Sequence, residues 1–452
     1  MLATDVRIDQ VRFDTQTYRY RLPMKFAGVA VDQATLLNVR LTVQTRLGQA
    51  RAEGFGSMPL GVVWAWPSST LAIAQRLEVM LHLAEAIAAV YRDCSLCDHP
   101  LTITHTLQPQ LDQTAVSVAA SLGLPEPIPA LAVLVVASAF DAALLDAYGK
   151  VHGRNVYELL GPPFLQPDLG YFLGEAFAGL RLNYCLHPDP VPALPLYHLV
   201  GALDPLTPAE VSQPVGDGWP ESLVDWLRYS GATRLKIKLN GDDLAWDVER
   251  VVAVERVVAQ LAEQHPGLAQ ARYSLDFNER CQSVDYLLEF LAWLGARAAR
   301  AVARIEYVEQ PTARDLHANP ANRMHAVTRV CPVVIDESLT DLASLDAAQA
   351  LGYSGAALKA CKGLTQSLLL AAAIRQRGLF VCVQDLTCPG ASLIQSAGLA
   401  ARVRGVTALE ANARQYLPAA NQDWVSRFPG LFDIRDGLVH TGQLTGPGLG
   451  AV

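Results

Sequence analysis

The stretch Arg304-Ile305-Glu306-Tyr307-Val308-Glu309-Gln310-Pro311 has the form of a short apolar strand that ends in a carboxylate, Glu309. Pro311 stops the strand, because proline cannot donate the next ladder hydrogen bond. Two further stretches end in the same way, Tyr273-Ser274-Leu275-Asp276-Phe277-Asn278 and Val333-Val334-Ile335-Asp336-Glu337. This repetition predicts three strands whose carboxyl ends each carry an acidic side chain: Asp276, Glu309 or Asp336.

The bulk composition describes a folded protein of ordinary charge. With 452 residues, the chain is longer than one core usually serves, so we expect two domains. The net charge of −8 argues against a general nucleic-acid binder, which would carry a basic face. The N-terminus lacks a signal-peptide pattern, and the most apolar run, residues 130–140, is too short to span a bilayer. We therefore expect a cytoplasmic protein with neither a nucleic-acid nor a membrane partner.

The first part of the chain changes from strand to helix periodicity. Residues 5–50 predict antiparallel strands. We expect one loop around Phe26 and a second around Met58, and the apolar tips of these loops either press on a ligand or merely dock on the neighbouring domain. Residues 69–149 predict helices, interrupted by a polar insertion at 95–113. Residues 1–190 are therefore interpreted as an α+β domain with a linker.

The second part of the chain alternates strands with amphipathic helices. Eight strand candidates lie at residues 196–200, 234–238, 272–277, 305–309, 333–336, 356–359, 379–383 and 406–411. Eight βα units predict parallel strands that close into a TIM-like barrel over residues 191–425. An open doubly wound sheet is the alternative, but no Gly-rich phosphate-binding sequence follows the first strand. The Gly-rich tail, residues 426–452, is expected to return to the first domain.

The predicted strand ends bring charged side chains to one mouth of the barrel. Three carboxylates on adjacent strands suit a hard divalent ion, most simply Mg²⁺ with Mn²⁺ as an alternative. Lys238 on the second strand and Lys359 on the sixth would face each other across that mouth, an arrangement suited to removing a proton from one face of a carbon and returning it to either. Taken singly, such an Asp usually caps a helix and such a Lys is usually solvated. The ordered set on consecutive strands favours a functional site.

A series of motifs in this region resembles the enolase superfamily, in the muconate lactonising enzyme-like branch of the mandelate racemase and muconate lactonising group. The motifs are Lys236-Ile237-Lys238, Asp276-Phe277-Asn278, Glu309-Gln310-Pro311, Asp336-Glu337-Ser338 and Leu358-Lys359-Ala360-Cys361-Lys362-Gly363. Residues 140–150 also resemble the late helix of that family's capping domain.

The resemblance implies an α+β capping domain on a (β/α)₇β-barrel. It implies that Asp276, Glu309 and Asp336 bind one Mg²⁺ and that Lys238 and Lys359 form the acid–base pair. The implied reaction begins by abstracting the proton α to a substrate carboxylate, giving an enediolate stabilised by the metal.

The resemblance also suggests which residues contact a small-molecule carboxylate substrate, and it implies a homo-oligomer. The predicted substrate-binding residues are Lys236 at the carboxylate, Asn278, Asp385, Glu410, Asn412, and Phe26 and Met58 in the two specificity loops. Strand 8 carries Glu410-Ala411-Asn412 where dipeptide epimerases of this branch show Asp-x-Asp, and strand 7 carries Asp385 where many relatives have a Glu-Ser pair.

We therefore expect a racemase or epimerase with a lysine on each face of the substrate, acting on a dipeptide, an N-acyl amino acid or another carboxylate. A cycloisomerase or an acid-sugar dehydratase would share the first step. A barrel that only binds ligands is the alternative from another class, and it should lack at least one ligand or base.

Overall fold

A computed structural model describes residues 2–26 and 28–451. Four strands form an antiparallel sheet in the order β3-β2-β1-β4. They are β1 (Val6–Phe26), β2 (Val29–Thr45), β3 (Arg51–Pro59) and β4 (Cys97–Asp98). Helices pack on this sheet, so the first part of the chain has the predicted α+β character.

The following strands close into a barrel. The strands are β5 (Ala193–Val200), β6 (Arg234–Lys238), β7 (Arg272–Asp276), β8 (Ile305–Glu309), β9 (Val333–Ile335), β10 (Gly355–Lys359), β11 (Phe380–Gln384) and β12 (Leu409–Glu410), with β13 (Leu438–His440) outside. Neighbouring barrel strands pair in parallel, and β12 pairs with β5 to complete the ring. The predicted eight-stranded barrel is therefore confirmed.

Helices surround the barrel and fill the first domain. They are α1 (Val62–Ala65), α2 (Ile73–Arg92), α3 (Pro100–Ser121), α4 (Ala130–Val151), α5 (Leu169–Leu173), α6 (Leu223–Ser230), α7 (Leu244–Leu261), α8 (Val284–Arg304), α9 (Leu342–Ala350), α10 (Leu364–Gln376), α11 (Ala391–Arg402), α12 (Ala413–Tyr416), α13 (Gln422–Val425) and α14 (Pro429–Phe432). Within the described chain, the β8–β9 connection contains only a short 3₁₀ turn, Val327–Arg329, where a regular barrel would have a helix.

Helix α4 is the central helix of the first domain. By length and composition it could cross a membrane, but 94% of its most apolar window is buried inside the protein. Strand β3 packs directly against this helix. A Cβ on Gly54 or Gly56 would overlap the backbone of α4. The helix is therefore a buried core element, longer than the apolar run that the sequence suggested.

Two segments predicted as loops are strands. Phe26 ends β1, and Met58 lies inside β3; Ala27 of the first predicted loop lies outside the described residues. Apolar residues alternate with other residues from Tyr18 to Phe26, which is the pattern of an extended hairpin. The hairpin of β1 and β2 therefore extends toward the barrel, with a shift in pairing register between Arg19 and Met24.

The predicted insertion at residues 95–113 is mostly helix. Helix α3 begins at Pro100, and the side chain of His99 caps it by accepting a hydrogen bond from the Leu101 N–H at 3.1 Å. Leu107, Leu111 and other apolar residues at helical spacing are buried, while the remaining face is polar. The many polar residues on this face are the reason why the sequence predicts an insertion rather than a helix.

The tail contacts both parts of the molecule. Strand β13 pairs antiparallel with β5 of the barrel. Farther on, Leu449 donates a backbone hydrogen bond of 2.8 Å to Asp146 on α4, and Val156 donates one of 2.8 Å to the Gly448 carbonyl. The tail thus reaches the first domain, as expected, while the domain boundaries at 190 and 425 stay predictions.

Candidate active site

The strand register sets the level of the acidic and basic side chains. Lys238 is opposite Asp276 in the β6–β7 pairing, and Asp276 is opposite Glu309 in the β7–β8 pairing. Asp336 follows the last residue of β9, and Lys359 ends β10. These five side chains therefore gather at the carboxyl-end mouth of the barrel, where barrel enzymes carry their active sites.

Lys236 is at the centre of a buried ionic cluster. Its Nζ lies 2.9 Å from Glu309 Oε1, 3.1 Å from Asp276 Oδ2 and 3.2 Å from Glu410 Oε2. Lys238 forms an ion pair with Asp276 as well, and its Nζ donates to Asn278 Oδ1 at 3.1 Å. Both lysines are buried. Lys236 therefore joins carboxylates from three different strands.

A second group of contacts surrounds Asp336. The Nζ of Lys359 is 2.7 Å from Asp336 Oδ2, and the Nζ of Lys362 is 3.1 Å from Oδ1. Lys362 also donates to the backbone carbonyl of Asp336. The side chain of Gln310 accepts the Asp336 N–H at 3.0 Å, which fixes the backbone from the neighbouring strand. The sequence motifs contain Lys362 and Gln310, but their roles were not predicted.

Burial and ion pairing oppose each other at the carboxylates. Burial alone would raise the pKa of Asp336, but Lys359 and Lys362 lower it to about 2. Burial likewise opposes Lys238 and Lys236 at Asp276, whose pKa is held well below its usual range. Burial, followed by the charge of Asp276, raises the pKa of Glu309 well above its usual value.

The catalytic-candidate lysine on β10 is held in its charged form. Burial alone would lower the pKa of Lys359, but the Asp336 carboxylate more than offsets this, and the pKa is raised. The rise follows from the direct contact between Lys359 and Asp336.

Asp276, Glu309 and Asp336 are the three predicted ligands of a divalent ion. The described residues contain no preassembled group of three His, Cys, Asp or Glu side chains around a metal position, and lysines lie between the carboxylates instead. The donor chemistry nevertheless fits: Asp276, Glu309 and Asp336 are buried at adjacent strand ends, and burial together with the charges of Asp276 and Asp336 raises the pKa of Glu309. Both oxygens of Asp336 contact lysines but accept no hydrogen bond of good geometry.

The other side of the mouth holds the predicted specificity residues from β11 and β12. Asp385 accepts backbone N–H groups of Thr387, Cys388 and Asn412, each at 3.3 Å. The side chain of Asn412 donates to Glu410 Oε1 at 3.0 Å. Burial, followed by the charge of Glu410, raises the pKa of Asp385 to about 8. Asp385 thus stabilises its own loop through these hydrogen bonds and also lines the site.

The first domain covers the two lysines with aromatic rings. The Phe26 ring centroid is 5.7 Å from Lys238 Nζ, and the Trp64 centroid is 4.6 Å from Lys359 Nζ. The indole N–H of Trp64 donates to Glu337 Oε1 at 3.0 Å, which fixes the ring over its lysine. Trp64 was noted in the sequence beside the second predicted loop, but this contact was not predicted.

These groups line one cavity, which encloses about 290 Å³ when its part open to solvent is included. Its lining residues are Phe26, Trp64, Leu199, Lys236, Lys238, Asn278, Asp336, Lys359, Asp385, Leu386, Thr387, Glu410 and Asn412. Asp276 and Glu309 lie beneath this lining, in contact with Lys236. Met58 is absent from the lining; it is fully buried, and its sulfur is 3.9 Å from that of Cys388. The structure therefore brings together every predicted site residue except Met58.

The overall fold is shared with solved enzyme structures. A dipeptide epimerase from Enterococcus faecalis, complexed with Mg and the dipeptide L-Leu-L-Tyr, is 17% identical, with 98% of this chain and 99% of that one covered at a TM-score of 0.60. A muconate lactonizing enzyme from Pseudomonas fluorescens, complexed with muconolactone, is 18% identical, with 99% and 96% covered at 0.60. A racemase from Streptomyces coelicolor with bound magnesium is 18% identical, with 98% and 97% covered at 0.58.

Sequence comparison gives the family. No curated protein matches the sequence. A sequence model described as enolase C-terminal domain-like matches residues 220–452, which contain the last seven barrel strands and all the lysines and carboxylates of the site. The chain therefore belongs to the enolase C-terminal domain-like family, within the mandelate racemase and muconate lactonising group of the enolase superfamily.

Proposed function

We propose that the protein is a Mg²⁺-dependent racemase or epimerase that removes and returns the proton α to a carboxylate of a small substrate. The observation that carries this proposal is the position of Lys238 on β6 and Lys359 on β10, at separate sides of one mouth with carboxylates between them. All five predicted ligands and bases come together there. That completeness favours an enzyme over a barrel that has lost catalysis.

Asp276, Glu309 and Asp336 are the residues that would hold the ion. Once bound, Mg²⁺ supplies positive charge that stabilises negative charge developing on the substrate carboxylate. Each of these carboxylates now contacts at least one ammonium group. A carboxylate that binds Mg²⁺ would stabilise the ammonium form of a neighbouring lysine less. The pKa of Lys359 would therefore fall toward the range in which an amine acts as a base.

The two lysines would share the proton transfer. The lysine on one face of the α-carbon acts as the base while the ammonium on the other face acts as the acid, so the configuration inverts. Lys236, released from Glu309 and Glu410, would pair with the substrate carboxylate. Phe26 and Trp64 would exclude water from the lysines beneath them.

The test measures α-proton exchange in D₂O with Mg²⁺, using single enantiomers of N-acyl amino acids and dipeptides. We expect Lys238→Ala and Lys359→Ala each to lose racemisation by more than a hundredfold. Each should retain slow exchange for only one enantiomer, because one base remains. Lys150→Ala, remote from the mouth on α4, serves as the control. Unchanged exchange in both active-site variants would contradict the proposal.

A cycloisomerase would also begin with the same proton abstraction, and the shared fold with a muconate lactonizing enzyme keeps it as the second candidate. The two differ in the fate of the intermediate. Product analysis by NMR separates them: a racemase returns the substrate with mixed configuration, and a cycloisomerase yields a ring-opened or ring-closed isomer.

A further inference from the structure

A second cavity shares no lining residue with the active site. It encloses about 830 Å³ when its part open to solvent is included. Its walls come from β2, β3 and α4 of the first domain, from α11 of the barrel, and from residues 424–451. The cavity therefore lies where three separate parts of the chain meet.

The lining of this cavity is positively charged, although the net charge of the protein is −8. Three cationic side chains, Arg40, Lys150 and Arg427, line it together with one carboxylate, Asp146. Asp146 already has partners, because it pairs with Lys150 at 2.9 Å and accepts two backbone N–H groups. Arg40 pairs with Glu53 only at 3.8 Å, and the one hydrogen-bond partner of Arg427 in the described chain is a backbone carbonyl. Both guanidinium groups therefore keep donors for an incoming anion.

Each of these two arginines lies over an aromatic ring of the same lining. Arg40 is opposite Phe55 in the β2–β3 pairing, and its guanidinium carbon is 4.9 Å from the ring centroid. The guanidinium carbon of Arg427 is 5.1 Å from the centroid of Trp424. Such contacts orient the guanidinium groups and place apolar surface beside them. Buried apolar residues form much of the remaining lining: Ala391, Ile394 and Leu449.

One buried polar side chain in the lining has no partner. Gln395 on α11 is 3% exposed, and its Oε1 accepts no hydrogen bond from the described residues. Buried amide groups are normally hydrogen-bonded, because an unpaired one loses its contacts with water without replacement. A side-chain amide can accept from a ligand or donate to it, so Gln395 offers a directional contact within the cavity.

We infer that this cavity is a second binding site, for a small organic anion in which a carboxylate or phosphate group is attached to an apolar ring. Arg40 and Arg427 would hold the anionic group, because the guanidinium fork matches the spacing of its oxygens. The ring would lie against Phe55 and Trp424, and Gln395 would contact a polar atom of the ligand. The inference goes beyond the proposed reaction, since the site uses no residue of the active-site cavity.

Isothermal titration calorimetry with phenyl phosphate and with benzoate tests the inference, and the tighter of the two identifies the anionic group. Inorganic phosphate carries only the charge and phenol only the ring, so each should bind about tenfold more weakly than phenyl phosphate.

The double variant Arg40→Gln with Arg427→Gln should lower the affinity for the tighter ligand by about tenfold, and Gln395→Leu by about threefold. The matched control is Arg228→Gln with Arg256→Gln, which removes two exposed arginines outside the lining and should bind as the parent does.

The outcomes decide whether the cavity is the site. Absence of binding to the parent, or equal affinities of the parent and the Arg40 and Arg427 double variant, would overturn the inference. Inorganic phosphate that binds as tightly as phenyl phosphate would also overturn it, because the aromatic walls would then contribute nothing. Affinity that is lost in Lys359→Ala instead would place the anion at the barrel mouth. Thermal unfolding of each variant confirms that it is folded, and the ligand should raise the unfolding temperature of the parent but not of the double variant.

Discussion

At the scale of single residues, the positive charge of Lys236 offsets negative charges of the site. One ammonium group contacts three buried carboxylates, which would otherwise repel one another. A buried charge cluster of this kind is stable only while every member keeps a partner. The protein can therefore hold its acidic residues close together before any substrate or ion arrives.

Asp385 gives a residue-scale prediction. Its pKa in the folded protein is raised to about 8 by burial and Glu410, above its ordinary value of 3.8. Between these pH values the folded state binds more protons than the unfolded state at this residue. The free energy of unfolding should therefore fall as pH rises through this window, with a slope of up to about 1.4 kcal/mol per pH unit.

Asp385→Asn should remove this loss, so the variant gains stability relative to the parent as pH rises from 5 to 8. Urea unfolding at several pH values measures the difference. Asp112→Asn, exposed on α3, is the matched control and should follow the parent. Parallel curves for parent and Asp385→Asn would show that Asp385 is ionised throughout this range.

The predicted metal ligands and Lys238 and Lys359 could be located from the sequence, because each lies at the end of a short strand or directly after it. Glu309 before Pro311 is the clearest example. The aromatic covers could not be predicted in the same way. Trp64 reaches Lys359 through the docking of one domain on another, and no local pattern near Trp64 encodes that distance.

At the scale of elements, the contact between β3 and α4 depends on missing side chains. Gly54 and Gly56 are two residues apart, so they lie on the same face of β3. The backbone of α4 lies where their Cβ atoms would be. The strand and helix therefore approach more closely than a strand with side chains on that face would allow.

Gly56→Val should destabilise the protein by about 3 kcal/mol, because the added side chain overlaps the Ala139 carbonyl and forces β3 away from α4. Thermal or urea unfolding gives the measurement. Gly295→Ala is the control: it lies in α8 with nothing near its Cβ position, and it should stabilise the helix by up to about 1 kcal/mol. Equal effects of the two substitutions would contradict this account.

Elements with one clear period were predicted well, and elements with a mixed pattern were not. The barrel strands β6 and β8 have the predicted bounds, because they are short apolar runs with distinct ends. The sequence predicts an insertion where helix α3 begins, because the exposed face of this helix is rich in Gln, Thr and Ser. It predicts a loop where β1 ends and β2 begins, because Pro23 and Gly28 are usual loop residues.

At the scale of the whole molecule, hydrogen bonds hold the first domain against the barrel around the mouth. Asp141 on α4 accepts the N–H and hydroxyl of Thr365, at 2.8 and 2.6 Å. Arg314 donates to the backbone carbonyl of Trp64 at 3.1 Å. These bonds place the aromatic covers relative to strands that lie far away in the sequence.

Gly61 provides a test of this fastening. Its φ is +50°, and a Cβ would overlap the end of the Leu386 side chain across the domain contact. Gly61→Ala should raise KM at least fivefold and change kcat much less, because Leu386 in the cavity lining shifts while the lysines stay in place. Steady-state kinetics of the proposed racemisation gives both constants.

A second substitution distinguishes lost space from backbone strain. Leu386→Ala removes the overlapping atoms, so the double variant Gly61→Ala with Leu386→Ala should recover a lower KM than Gly61→Ala alone. If the double variant is no better, strain at the positive φ of residue 61 is the cause instead.

The aromatic covers and the groups beneath them come from different parts of the chain. Phe26 and Trp64 belong to the first 190 residues, whereas every lysine and carboxylate of the site belongs to the barrel. Substitutions in the covers therefore leave the lysines and carboxylates of the barrel unchanged. Grafting another relative's N-terminal region onto this barrel is accordingly a rational route to new substrates.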